Sequence, residues 1–496
     1  MSLLNMAHDP FKAGYLPGLD EGEVNWETLE FNTHGQTYSV QVPSLTATQY
    51  EELAEHVQTI GKEQLQRTPL ADIVKAIDQI VVGLLDTNSP IMKQALEILP
   101  KVTGFDPEMM KLTLHSYLQT FKLIGLKRFL AQDFSNPQVL EEFVPNVRGG
   151  FTRAVPPSLT LHSWSGNVPA LGLWSLISAL LVKSPSIGKV ASAEPLFVSW
   201  FVRLLVQVLP QIKDALAIVW WKGGEHDSCQ PLLNAAQLVL AYGSDASLQS
   251  LKSRLPATTR FLGYGHKLSF ALLSKSSMNR ALSADCVSKA AWDVVAHDKG
   301  GCYSPHVFYV QKGGAISPQE FAQRLLIELK TQSFRFPSSV SDLSEKATQE
   351  HWLQSQRYQA IQSKALEVLG TKLSTELKEQ PWVVIHNDVV NLAPSPSKRF
   401  VQVVAFENWS DVLISLAKSR PYLQTVGVAL STSELSEVTP LLAQAGVTRI
   451  TAIGSMTAPE AGWHHDGRFG LADLVNMVDL ELSAISICDN FDQYRI

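Results

Sequence analysis

Beyond Gly149 the chain alternates short apolar runs with helical segments, and this alternation constrains the fold more than any other feature of the 496 residues. Residues 159–162, 187–191, 217–221, 238–242 and 260–262 read as strands; 169–182, 194–208, 229–236 and 246–254 read as the helices between them. Strands joined by crossover helices form a parallel sheet with helices on both faces, so each strand is buried on both sides and reads as a nearly continuous apolar run. Ligands of such sheets sit at the carboxyl ends of the strands, and a dinucleotide site is expected there. The fingerprint G-x-G-x-x-G is missing, and Gly263-Tyr264-Gly265 is only a G-x-G, which carries no weight.

A second α/β block follows. Residues 279–296 are amphipathic, with Leu282, Cys286, Ala290, Val294 and Val295 on one side, which makes Cys286 a core residue. A strand is expected at 307–310. Ser317-Pro318-Gln319-Glu320 is a capping box with proline at the first helical position, opening a helix over 321–330. Further strands are expected at 383–386, 401–405, 426–430 and 448–453, with a serine-rich loop insertion across 336–350. Ahead of both blocks, 31–42 alternates like a hairpin and 47–134 is helical, with Leu70, Ile73, Val74, Ile77, Ile80, Val81 and Leu84 at three- and four-residue steps.

The fold class expected is α/β, two doubly wound parallel-sheet domains with a helical N-terminal region. Four segments follow from this: 1–135, helical and packed on the cofactor domain; 136–265, nucleotide-binding; 266–455, carrying the reactive cysteine; and 456–496, returning to the cofactor domain or an oligomer interface. A chain of this length can bury a generous core.

The net charge of −6 spreads without a basic cluster, which argues against nucleic-acid binding. Four cysteines without C-x-x-C spacing argue for a reducing compartment without structural zinc or disulfides. The first ten residues lack the basic and apolar regions of a signal peptide, so a cytoplasmic location is expected. The most apolar run, 168–182, is shorter than the roughly 20 residues of a spanning helix.

Asp298-Lys299-Gly300-Gly301-Cys302-Tyr303-Ser304-Pro305 is where chemistry is expected. Two glycines remove bulk beside Cys302, and Pro305 stops the loop from continuing as a helix. Such a loop can present both a sulfur and a backbone N–H to a carbonyl; the alternative is a buried structural cysteine. His306 reads as structural. His464, His465 and Asp466 form a polar cluster, but adjacent histidines point apart and no third spaced ligand follows, so no metal is expected.

Several segments together resemble one family. Ser163-Trp164-Ser165-Gly166-Asn167-Val168-Pro169, Lys189-Val190-Ala191-Ser192-Ala193-Glu194-Pro195, Ala241-Tyr242-Gly243-Ser244-Asp245, Gly265-His266-Lys267-Leu268-Ser269-Phe270 and Cys302-Tyr303-Ser304-Pro305 resemble, in order and spacing, the aldehyde dehydrogenase superfamily. More closely they resemble its bacterial acyl-CoA reductase branch, as does Trp463-His464-His465-Asp466-Gly467-Arg468. The resemblance implies Cys302 as nucleophile and Asn167, with the Cys302 N–H, as oxyanion donors. It implies Lys189, Ser192 and Glu194 around the adenosine ribose and Gly243 and Ser244 near the pyrophosphate; the polar turn at 464–466 offers His465 as a group for proton transfer. Lys189 favours the 2′-phosphate of NADPH, whereas Glu194 turned inward would favour the free ribose hydroxyls of NADH.

Two departures sharpen this expectation. The superfamily's hydrolytic glutamate has no counterpart in Phe261-Leu262-Gly263-Tyr264-Gly265-His266-Lys267, and its nicotinamide-ribose glutamate is missing near Lys398-Arg399-Phe400. Without a base to activate water, a thioacyl-enzyme persists to meet hydride or CoA. The resemblance therefore implies NADPH-dependent reduction of a fatty acyl-CoA or acyl-protein thioester to the aldehyde. It also implies a homo-oligomer and an acyl-transferase or acyl-activating partner. The alternatives are a CoA-acylating aldehyde dehydrogenase for shorter aldehydes and a catalytically degenerate scaffold subunit.

Overall fold

The computed structural model describes residues 9–33, 35–224, 227–339, 341, 343–370 and 382–492; residues 1–8, most of the segment read above for a signal peptide, lie outside the described residues. The chain divides into two compact units. One comprises Met1–Thr103, His115–Gly265 and Glu460–Ile496, the other Gly104–Leu114 and His266–Pro459.

In the first unit, β1 (Asn25–Thr33) and β2 (Gln36–Ser44) form an antiparallel hairpin. Short β3 (Val144–Pro145) and β4 (Phe151–Val155) are joined by a late strand, β17 (Asn476–Leu480), in an antiparallel sheet ordered β17-β4-β3. The sequence reading missed this sheet. The main sheet holds β5 (Thr160–Ser163), β6 (Ser186–Lys189), β7 (Leu216–Val219), β8 (Leu238–Tyr242) and β9 (Arg260–Tyr264) in the order β7-β6-β5-β8-β9, every neighbour parallel. Strand order reverses between β5 and β8, which places a crevice outside the carboxyl ends there. Helix Ala47–His56 buries Tyr50, Leu53 and Ala54 with Leu232 and Leu233 against Leu161, Ile187, Ala217 and Val239 of the sheet. Each such leucine contributes about 1.5–3 kcal/mol by leaving water.

The second unit is a seven-stranded sheet of β10 (Leu268–Leu273), β11 (Pro305–Gln311), β12 (Leu366–Gly370), β13 (Val383–Asn387), β14 (Phe400–Phe406), β15 (Leu423–Ala429) and β16 (Arg449–Ala452). The order is β12-β13-β14-β11-β10-β15-β16, and only the β12–β13 pair is antiparallel. Alternate residues divide between two cores, as a period of two requires. Ala271, Leu273, Phe308, Val310 and Val403 pack with Cys286, Ala290 and Val294 of helix Ser283–Val295 and Phe321 and Leu325 of helix Pro318–Arg335. Phe270, Leu272, Val307, Tyr309 and Val404 pack with Val412 and Leu416 of helix Trp409–Ala417 and Val438 and Leu442 of helix Thr432–Ala445. Helices on both faces make this sheet doubly wound.

Two elements depart from the sequence reading. The helix expected over 321–330 runs over Pro318–Arg335; Ser317 caps it by accepting from Glu320 N, while the Glu320 carboxylate pairs with Arg324 instead of closing a capping box. The loop insertion expected across 336–350 gives way to helix Leu343–Gln362 and then β12. That helix buries only Gln349 and Leu353, so it has no apolar stripe to read.

Candidate active site

In the second unit the loop that carries Cys302 follows helix Ser283–Val295. His297, Asp298 and Lys299 adopt φ of 53°, 54° and 57°, three consecutive left-handed residues of which none is glycine. Each costs about 1–2 kcal/mol against the right-handed form. All three are buried, and each side chain is anchored. His297 Nδ1 lies 3.0 Å from Thr113 Oγ1, and burial pushes its pKa down to about 4. The Asp298 carboxylate accepts from Arg399 Nη1 at 2.7 Å and from Ser338 and Ser339. Lys299 Nζ donates to Ser395 Oγ, Pro396 O and Phe400 O at 2.5, 2.7 and 2.5 Å, and burial draws its pKa well below the lysine range. The loop after Lys299 therefore starts from a fixed point.

Cys302 is half-exposed at the end of this run. Its carbonyl accepts from Ser269 Oγ at 2.7 Å, and its Sγ accepts from Gln424 Nε2 at 3.2 Å. A Cβ on Gly301 would fall 2.3 Å from the Tyr303 ring, so the packing of that ring leaves no room for a side chain beside Cys302. His306 is a packing residue, bonded through Nδ1 to Ser395, with its pKa held down to about 3 first by burial and then by Lys299. Arg399 stands where the superfamily's second glutamate was sought; it is a core anchor of the loop. Sequence reasoning passed over Gln424, 122 positions from Cys302.

In the first unit the remaining candidates gather along one edge of the sheet. Ser163 of β5 pairs with Lys189 of β6 and Ala241 of β8, so the loops carrying Asn167, Ser192 and Gly243 leave adjacent strand ends. Asn167 is exposed, and its Oδ1 accepts from Ser165 Oγ at 2.6 Å, which fixes the rotation of the amide. A Cβ on Gly166 would fall 2.7 Å from Ala193 Cβ, the close approach of the loops after β5 and β6. Lys189 Nζ lies 5.7 Å from the centroid of the Trp221 ring, and burial lowers its pKa. Ser192 Oγ accepts from Trp220 Nε1 at 3.0 Å.

Glu194 is buried, and its Oε1 accepts from Leu196 N and Phe197 N at 2.8 Å each. One carboxylate oxygen is thus committed to the start of helix Phe197–Val208. Burial raises the pKa of Glu194, and the two backbone bonds oppose that shift. Ser244 caps helix Asp245–Lys252 by accepting from Ser247 N at 3.2 Å.

His465 lies in an aromatic stack that the sequence did not reveal. Its ring centroid is 4.6 Å from that of Tyr264 at an interplanar angle of 13°, and 4.9 Å from that of Trp463. Tyr264 stacks in turn on Tyr242 at 4.8 Å, so the ladder stands at the carboxyl ends of β8 and β9. Burial pushes the Tyr264 hydroxyl up to about 12. Among the described residues, no group of three His, Cys, Asp or Glu side chains could hold a metal ion, and no helix is long and apolar enough to cross a membrane.

The sequence profile of the acyl-CoA reductase (LuxC) family matches residues 65–477. The long-chain acyl-protein thioester reductase of Photorhabdus luminescens is 25% identical over 388 residues, covering 77% of this chain and 76% of its own. Long-chain acyl-protein thioester reductase 2 of Photobacterium leiognathi is 25% identical over 391 residues, with coverage of 77% and 76%. Among solved structures, the aldehyde dehydrogenase KauB from Pseudomonas aeruginosa superposes with a TM-score of 0.75 at 12% identity, covering 95% of this chain and 96% of that one. Aldehyde dehydrogenase 21 from Physcomitrella patens gives 0.73 at 11%, covering 95% and 98%. Identities this low carry the fold alone. The fold and the profile match together place the chain in the acyl-CoA reductase (LuxC) family, oxidoreductases on an aldehyde dehydrogenase-like fold.

Proposed function

We propose that this chain reduces a long-chain fatty acyl thioester, presented as acyl-CoA or on an acyl-carrying protein, to the aldehyde, with NADPH as reductant. The observation that carries this reading is Cys302: a half-exposed sulfur in a loop fixed by three buried side chains, in a chain whose relatives are long-chain acyl-protein thioester reductases. The Cys302 thiolate attacks the thioester carbonyl, forming a new C–S bond as the original thiol leaves. Asn167 is assigned to the oxyanion of that step, together with the Cys302 N–H; a neutral amide donor suits a charge that develops only in the transition state. A reduced nicotinamide, when bound, supplies the hydride.

The residues present suit such a cofactor. Lys189 places an ammonium at the end of β6, and Ser192 and Ser244 add hydroxyls along the same edge. A Cβ on Gly243 would meet only Ser247 Cβ, at 3.5 Å, so internal packing does not demand glycine there and its bare backbone is open to a close-approaching ligand. Because Oε1 of Glu194 already binds two backbone N–H groups, Glu194 is the weaker candidate for a ribose diol, which favours NADPH over NADH. His465 is proposed for proton transfer as a histidine of the polar turn His464-His465-Asp466.

None of the four cysteines forms a disulfide, which supports a reducing, cytoplasmic setting. A homo-oligomer is proposed on the exposed Met477, Val478 and Leu480 of β17, an edge strand open to pairing. An acyl-transferase or acyl-activating protein is the proposed supplier of substrate. The test is NADPH oxidation with acyl-CoAs of increasing chain length, with the product identified by mass spectrometry. Aldehyde, formed best from long chains, is expected; free fatty acid as the sole product would contradict the reading.

A further inference from the structure

Strand pairing alone gives no reason for a glutamine at position 424. Between the pairs Leu268↔Leu423 and Phe270↔Val426, two residues of β15, Gln424 and Thr425, oppose the single Ser269 of β10. Such a bulge takes side chains out of regular alternation and re-aims them. Thr425 N donates to Ser269 Oγ at 3.2 Å, and Ser269 Oγ donates to Cys302 O at 2.7 Å. Gln424 O accepts from Thr448 N at 3.0 Å, which fixes the strand from its other side. One bulge therefore holds the backbone of Cys302 and aims Gln424 Nε2 at Sγ, 3.2 Å away. Gln424, Thr425 and Ser269 are all 0% exposed, so the arrangement is built into the core and not into a surface loop.

A primary amide is a donor at every pH, and a hydrogen bond strengthens when its acceptor is ionised. We infer that Gln424 is a catalytic residue, the donor that holds Cys302 as the thiolate before attack. When the aldehyde is released, the C–S bond breaks with its electron pair on sulfur, the oxyanion lone pair forms the carbonyl, and the same amide receives the regenerated thiolate. This rests on Cys302 being the nucleophile proposed above.

The test is the rate of iodoacetamide alkylation at Cys302 as a function of pH, followed by peptide mass spectrometry on the full chain without substrate or cofactor. Gln424→Leu removes the donor; Gln424→Glu keeps the shape and sets a carboxylate beside sulfur. The midpoint should rise by about one pH unit or more in Gln424→Leu and further in Gln424→Glu. Should the leucine variant fail to fold, Gln424→Met, close in shape and likewise without a donor, takes its place, and its midpoint should rise by a similar amount. Profiles of folded variants that superimpose on the wild type would overturn the inference. Acyl attachment surviving Cys302→Ala would overturn the nucleophile itself, and because the alkylation readout needs no turnover, the two failures are distinguishable.

Discussion

Arg399 and Asp298 form a fully buried ion pair, Nη1 to Oδ1 at 2.7 Å, with side-chain exposures of 1% and 4%. Asp298 sits four residues before Cys302 in a left-handed conformation, and Arg399 also donates through Nη2 to Phe336 O at 3.0 Å. The pair ties the Cys302 loop to the start of β14.

Removing one partner of this pair leaves an uncompensated buried charge. Arg399→Met should therefore destabilise the protein by about 3–5 kcal/mol. The double variant Asp298→Asn, Arg399→Met should lose less than the sum of the two single changes. Urea unfolding of all four forms checks this, and strictly additive losses would count against a coupled pair.

Stability should fall as the solution is acidified through the histidine range. Burial holds His162 down to about 3 and His297 to about 4, against 6.5 for an ordinary histidine. Unfolding therefore takes up protons below pH 6.5, and the stability carried by the neutral folded forms is lost down to about pH 4 for His297 and about pH 3 for His162. Asp293, pushed up to about 7 by burial, works in the opposite sense. The difference in unfolding free energy between wild type and His162→Gln isolates one histidine. It should shrink by about 1.4 kcal/mol per pH unit as pH falls below 6.5; a difference independent of pH would contradict the buried neutral state.

Lys189→Ala should weaken NADPH binding far more than NADH binding, because only the former offers a 2′-phosphate on the adenosine ribose to the ammonium. Dissociation constants from fluorescence titration decide the matter. Equal losses would place Lys189 outside the phosphate site and return Glu194 as a ribose ligand.

Asn167→Ala should lower kcat on the order of 10²-fold, the usual effect of losing one oxyanion donor. Ser165→Ala should cost less, since Ser165 only orients the amide through Oδ1. An unchanged rate in folded Asn167→Ala would mean the amide serves elsewhere.

The doubly wound sheets were legible because strands buried on both faces read as continuous apolar runs; β8 begins and ends where its sequence pattern does, at Leu238 and Tyr242. The sheet β17-β4-β3 was not legible, because β17 lies hundreds of residues from its partner β4 and every residue of β17 is exposed. Helix Leu343–Gln362 escaped because its polar sequence follows no stripe. At the candidate site, the glycine-opened loop of Cys302 could be picked out locally, whereas Gln424 reaches the sulfur only through a bulge that no local pattern encodes. The stack of Tyr242, Tyr264 and His465 likewise joins strand ends and a late loop that have no proximity in sequence.

The central claim is that a thioacyl bond forms at Cys302. Intact-protein mass spectrometry after incubation with a long-chain acyl-CoA, without reduced cofactor, tests it most directly. The wild type should gain the mass of one acyl group, hold it in water, as expected where the superfamily's hydrolytic glutamate has no counterpart in 261–267, and lose it on addition of NADPH or CoA. Cys286→Ala should behave alike, its side chain being core. Cys302→Ala should gain nothing; an acyl adduct retained in that variant would contradict the account.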